Sequence, residues 1–156
     1  MIIRVIIIKF KMLNSLILVT LLIPSLLCQV TTVDLTNYKP VDYDTVLHLT
    51  VGYTFEVLLK ENPTTGYIWQ TLDSELVRSG LDNVIKPKTT DFESDPNSRG
   101  AVGVGGTRKI QFEVIGAGEG KLTLIHARSW ELTAKIERGE DISSEDQKVI
   151  TIVAKA

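Results

Sequence analysis

Between Arg108 and Ile115 the chain alternates without a break. Ile110, Phe112 and Val114 fall on one side, and Lys109, Gln111 and Glu113 on the other. A period of two places one set of side chains in a core and the other in water only if the backbone is an extended strand. The same period recurs in Thr45–Val51, where Leu47, Leu49 and Val51 oppose Val46, His48 and Thr50, and in Tyr53–Leu59, where Phe55, Val57 and Leu59 share a face. It appears again in Tyr67–Leu72 (Tyr67 and Trp69 against Ile68 and Gln70), in Gly120–Ala127 (Leu122 and Leu124) and in Lys148–Ala154 (Ile150 and Ile152 against Val149, Thr151 and Val153). Asp73–Val77 reads as a short helical turn, and no long amphipathic helix, repeat or heptad is visible. Six or seven short strands in about 125 residues predict an all-β fold, an immunoglobulin-like antiparallel β-sandwich. Gly116-Ala117-Gly118-Glu119-Gly120 is the tight link between two strands. Two connections, Lys86–Thr107 and Arg128–Gln147, read as long loops, which in a compact domain are functional or mobile.

The first 28 residues have a different character. Arg4, Lys9 and Lys11 precede an apolar run from Met12 to Leu27, and no further charge follows until Asp34. A basic stretch before a short apolar run is a secretory signal pattern, and the run is short for a membrane-spanning helix. The expected organisation is a signal peptide over residues 1–28, cleaved near Cys28, and one domain over residues 29–156. The competing reading is an uncleaved anchor beginning at Ile2. The single cysteine, Cys28, lies at this boundary, so the domain holds no internal disulfide and must stand on its core. The expected location is the secretory pathway, either secreted or in the lumen of a lysosomal or phagosomal vesicle. With 17 basic and 19 acidic residues, nothing suggests a nucleic-acid partner. No membrane contact is expected after cleavage, and the domain is taken as a monomer.

Catalytic signals are weak. His48 and His126 are the only histidines, each on a strand, and both read as partly buried, satisfied side chains. No cysteine nucleophile lies in the domain, no serine sits at a strand–turn–helix elbow, and no His/Cys/Asp/Glu cluster has metal-ligand spacing. Gly103-Val104-Gly105-Gly106-Thr107 is glycine-rich but lacks the lysine and the helix of a phosphate loop. The chain reads as a non-enzyme with no cofactor and no metal.

Three segments stand out instead. In Asn62-Pro63-Thr64-Thr65-Gly66-Tyr67, proline fixes its own φ, Gly66 permits a sharp return, and two stiff β-branched threonines lie between them. Gly103–Gly106 carries three glycines in four positions. Arg128-Ser129-Trp130 holds two residue types that dominate binding hot spots. Each has a plainer reading alone: a common turn, a flexible loop, a tryptophan covering a core edge. Counted against the core strands, however, they fall on alternating connections of the sandwich and can meet at one end.

In order and spacing, these segments resemble the three signature loops of the chagasin family, protein inhibitors of papain-like cysteine proteases. The first segment matches the family motif in full. The third departs from it, since Ser129 stands where the family usually has proline, which implies a less rigid loop. The resemblance implies a wedge made of Asn62, Pro63, Thr64, Thr65, Gly66, Tyr67, Gly103, Val104, Gly105, Gly106, Arg128 and Trp130 that enters the protease cleft. Thr64 and Thr65 would approach the catalytic cysteine and histidine, the glycine segment the non-primed side, and Arg128 with Trp130 the primed side. Inhibition would be reversible and non-covalent. Two other readings stay open from residues alone: an immunoglobulin-like adhesion or recognition module, and a secreted hydrolase.

Overall fold

The computed structural model describes residues 30–37, 45–96, 103–142 and 147–156. The expected signal segment and Cys28 lie outside them. Among the described residues, eight strands run in the order β1 (Val30–Asp34), β2 (Thr45–Thr50), β3 (Thr54–Glu61), β4 (Ile68–Gln70), β5 (Ile85–Ser94), β6 (Gly106–Val114), β7 (Gly118–Ala127) and β8 (Gln147–Lys155). Helix α1 (Asp73–Ser79) follows β4, and helix α2 (Ser129–Arg138) follows β7.

The strands form two four-stranded sheets, ordered β1-β3-β6-β5 and β2-β8-β7-β4. This is the expected sandwich. Its ladders are antiparallel except at two edges, where β1 joins β3 and β2 joins β8 in parallel. The alternation of the sequence sets the core. Phe55, Val57 and Leu59 of β3 and Phe112 and Val114 of β6 are buried, as are Leu122 and Leu124 of β7 and Ile150 and Ile152 of β8. Phe55 and Phe112 are paired across β3 and β6, and their rings stack 5.1 Å apart. Each such side chain contributes about 1.5–3 kcal/mol by leaving water.

Three expectations need correction. The Lys86–Thr107 connection opens as a strand, because β5 occupies Ile85–Ser94. It is an edge strand with almost every side chain exposed, so it has no apolar alternation to read, and its pairing with β6 makes it a strand. The Arg128–Gln147 connection is not simply a loop either, since it opens with the ten-residue helix α2. That helix buries only Leu132, and Glu131, Lys135, Glu137 and Arg138 interrupt its apolar residues, so it shows no wide apolar stripe. The third correction concerns His48, which is exposed on β2 rather than partly buried.

β5 matters for the site. With it in place, the β3–β4, β5–β6 and β7–α2 connections all leave the sandwich at one end. Glu61 at the end of β3 pairs with Gly106 at the start of β6, which also pairs with Ser94 at the end of β5. On the other sheet, Ile68 at the start of β4 pairs with Ala127 at the end of β7.

Candidate functional site

The Asn62–Tyr67 connection is a turn closed from within. Asn62 is extended (φ −126°, ψ 92°), and Pro63–Thr65 form a single 3-10 turn ended by Gly66 in the left-handed region at φ 81°. The Asn62 Oδ1 accepts from the Thr64 hydroxyl (2.7 Å) and the Thr64 N–H (3.3 Å). The Asn62 carbonyl accepts from the Thr65 hydroxyl at 2.8 Å and the Thr65 N–H at 3.2 Å. Gly66 N–H donates to the Pro63 carbonyl at 3.0 Å. Proline presets the first turn residue and asparagine replaces a missing backbone acceptor, so residue type alone accounts for this shape. Thr64 and Thr65 stand exposed at the tip.

The other two segments are fastened to this turn. Asn62 Nδ2 donates to the Gly103 carbonyl at 2.9 Å. Arg128 Nε donates to the Thr65 carbonyl at 3.1 Å, and its guanidinium lies 4.7 Å from the Tyr67 ring centre and 5.8 Å from that of Trp130. Trp130, on the first turn of α2, is 63% exposed yet passes so close to Gly66 that a Cβ there would lie 3.0 Å from its Cη2. The three segments are therefore one contiguous surface.

Within it, the residues divide. Thr64, Thr65, Gly103 and Trp130 are exposed, whereas Asn62, Pro63, Gly66, Tyr67, Val104, Gly105 and Arg128 are half-buried. Gly106 is buried at the start of β6, where a Cβ would fall 2.2 Å from the Glu93 carbonyl oxygen and 2.6 Å from the Phe92 ring. Its glycine is required by packing beneath the surface rather than by contact at it. Ser129 is the first residue of α2, and Arg128 precedes it with φ −77° and ψ 127°.

The floor of this surface is built by residues outside the three segments. Glu61 is buried and accepts from the Trp69 N–H (2.7 Å) and from Arg108 Nε at 3.0 and 3.1 Å, with a further bond from the Arg108 Nη2. Phe92 covers the Arg108 guanidinium at 5.3 Å, and His126 stacks on Trp69 at 4.7 Å. A signal for the pair was present: Glu61 continues the inward parity of Phe55, Val57 and Leu59, and Arg108 that of Ile110, Phe112 and Val114. Charges of opposite sign at two inward positions call for each other. Among the described residues, no group of three or more metal-ligating side chains comes together.

Comparisons with known proteins bear on the same segments. Amoebiasin-1 of Entamoeba histolytica is 33% identical over 87 residues, which is 56% of this chain and 76% of that one. A cysteine protease inhibitor from Entamoeba histolytica superposes with a TM-score of 0.55 at 17% identity, covering 81% of this chain and 96% of its own, and shares the fold. Leishmania mexicana ICP superposes with a TM-score of 0.50 at 27% identity, covering 73% and 90%. Residues 48–143, which include all three segments and their floor, match the model of the chagasin family peptidase inhibitors, I42. Well over half of the chain is thereby accounted for by a family of inhibitors rather than of enzymes, and this protein belongs to the chagasin family.

Proposed function

We propose that this protein is a reversible inhibitor of papain-like cysteine proteases, and that residues 62–67, 103–106 and 128–130 enter the active-site cleft as one wedge. The observation that carries the reading is the pair of bonds joining the segments, Asn62 Nδ2 to the Gly103 carbonyl and Arg128 Nε to the Thr65 carbonyl. Loops tied to one another in the free protein lose little freedom on binding, and preorganisation decides affinity at a given interface area. Interfaces of this kind bury about 1,600 Å² in total.

The turn also explains why the inhibitor survives. A protease cleaves an extended segment whose carbonyl can turn into an oxyanion hole. Here the tip is a 3-10 turn, and the carbonyls of Asn62, Pro63 and Thr65 already accept hydrogen bonds from within the domain. Cutting would require breaking them first. Thr64 and Thr65 fill the catalytic end of the cleft, while the peptide bonds after Asn62, Pro63 and Thr65 are held by these bonds in the turn. The absence of cysteine after Cys28 suits a partner that works only under reducing conditions.

The test is titration of papain with the purified protein, followed by a fluorogenic peptide and by mass spectrometry. Inhibition below micromolar concentration, full recovery of activity on dilution and an intact inhibitor are expected. No inhibition at micromolar protein overturns the reading in favour of a recognition module. The basic and apolar N-terminus supports entry to the secretory pathway, and N-terminal sequencing of the exported protein should begin near Gln29.

A further inference from the structure

Glu61 sits where the inward face of β3 would ordinarily carry another aliphatic side chain, and its side chain has no exposed area. Burying a carboxylate is costly unless it is paired and hydrogen-bonded. An apolar residue would fill the position without that cost. What a carboxylate adds is direction, because its oxygens accept only along defined lines. All of its donors lie on other strands: Arg108 on β6 and the Trp69 N–H on β4. The Trp69 indole N–H donates in turn to the Lys60 carbonyl at 2.8 Å.

The consequence is geometric. Glu61 immediately precedes the Asn62–Tyr67 turn, Trp69 closely follows it, and Arg108 lies just beyond the glycine segment. One buried carboxylate thus joins both ends of the turn to the exit of the neighbouring loop. Since β3 and β6 belong to one sheet and β4 to the other, it also fixes the spacing of the sheets at this end. Phe92 of β5 backs the Arg108 guanidinium, and the small Gly106 lets Phe92 reach it.

We propose that Glu61, acting through Arg108 and the Trp69 backbone, is a positioning residue for inhibition that sets the height of the Thr64-Thr65 tip relative to the glycine segment. The inference rests on the inhibitor reading above and deepens it. Three variants test it: Glu61→Gln, which keeps the shape but replaces one acceptor with a donor; Arg108→Lys, which keeps the charge and loses the fork; and Leu122→Ala, a control in the core of β7. Each is measured for papain inhibition, thermal unfolding and amide hydrogen exchange, at a temperature where all are folded. Glu61→Gln and Arg108→Lys should weaken inhibition about tenfold, while Leu122→Ala, at an equal or larger loss of melting temperature, should stay within about twofold of the parent. Exchange should quicken at residues 62–67 and 103–106 in the first two variants only. If Glu61→Gln does not fold, Arg108→Lys decides. Affinity losses that merely follow melting temperature across all three variants overturn the proposal. A parent that fails to inhibit papain refutes the inhibitor reading instead, and unchanged loop exchange in the free variants refutes the positioning role by itself.

Discussion

Replacing Gly66 with alanine separates two functions of one glycine. Gly66 lies at φ 81°, where a residue with a Cβ is strained by about 1–2 kcal/mol. The added methyl would also meet Trp130 Cη2 at 3.0 Å and Arg128 Nε at 3.6 Å. Trp130 is exposed and can swing aside, so the contact adds little to the loss of stability. It does move the ring from its place beside the turn. Gly66→Ala should therefore lower the melting temperature by about 3–12 °C, the range that such a strain gives in a domain of this size. Its inhibition constant for papain should rise about 30-fold if Trp130 is a binding hot spot worth about 2 kcal/mol. The assay is a double-mutant cycle with Trp130→Ala, reading the inhibition constant and thermal unfolding in parallel. With the ring gone, alanine at position 66 has nothing to displace. The double variant should then inhibit about as well as Trp130→Ala alone, while the melting-temperature loss from strain persists. If the two affinity losses instead add to within about 0.5 kcal/mol, residue 66 does not act through Trp130 and the account of their contact fails.

Two further predictions follow from local geometry. Ser129 is the first residue of α2, where a backbone N–H has no partner within the helix and proline is favoured; Arg128, at φ −77° and ψ 127°, already has a conformation acceptable before proline. Ser129→Pro should raise stability by about 0.4–1 kcal/mol in denaturant unfolding and leave or improve inhibition, whereas a loss would mean that the Ser129 N–H is needed. Near the end of β1, the Thr36 hydroxyl (2.7 Å) and N–H (2.9 Å) donate to Asp34 Oδ1 and hold its carboxyl below the ordinary value of 3.8. Because the folded form is the more acidic, the stabilisation is present above that ordinary value and is lost below it, as pH falls through the lower value of the folded form. Asp34→Asn should therefore flatten the decline of melting temperature as pH falls below the ordinary value of 3.8, and an unchanged profile would refute the role of this carboxylate.

Much of the molecule was legible in the chain because much of it is decided locally. Alternation names the buried face of a strand whatever its neighbour is, so Phe55, Val57, Leu59, Ile110, Phe112 and Val114 could be placed inward before any pairing was known. The Asn62–Gly66 turn was equally readable, since its bonds close within a few residues. β5 was not, because an exposed edge strand carries no apolar pattern and owes its form to β6. Helix α2 carries a weak signal for a similar reason, with Leu132 its only buried residue.

The site itself belongs to the tertiary structure. The bonds that unite it span 41 residues from Asn62 to Gly103, 63 from Thr65 to Arg128 and 47 from Glu61 to Arg108. The sequence supplied the three loop segments and their residue types. Which end of the sandwich each segment occupies depends on strand order, and strand order is set by pairing between segments far apart in the chain. A local pattern holds no record of that pairing.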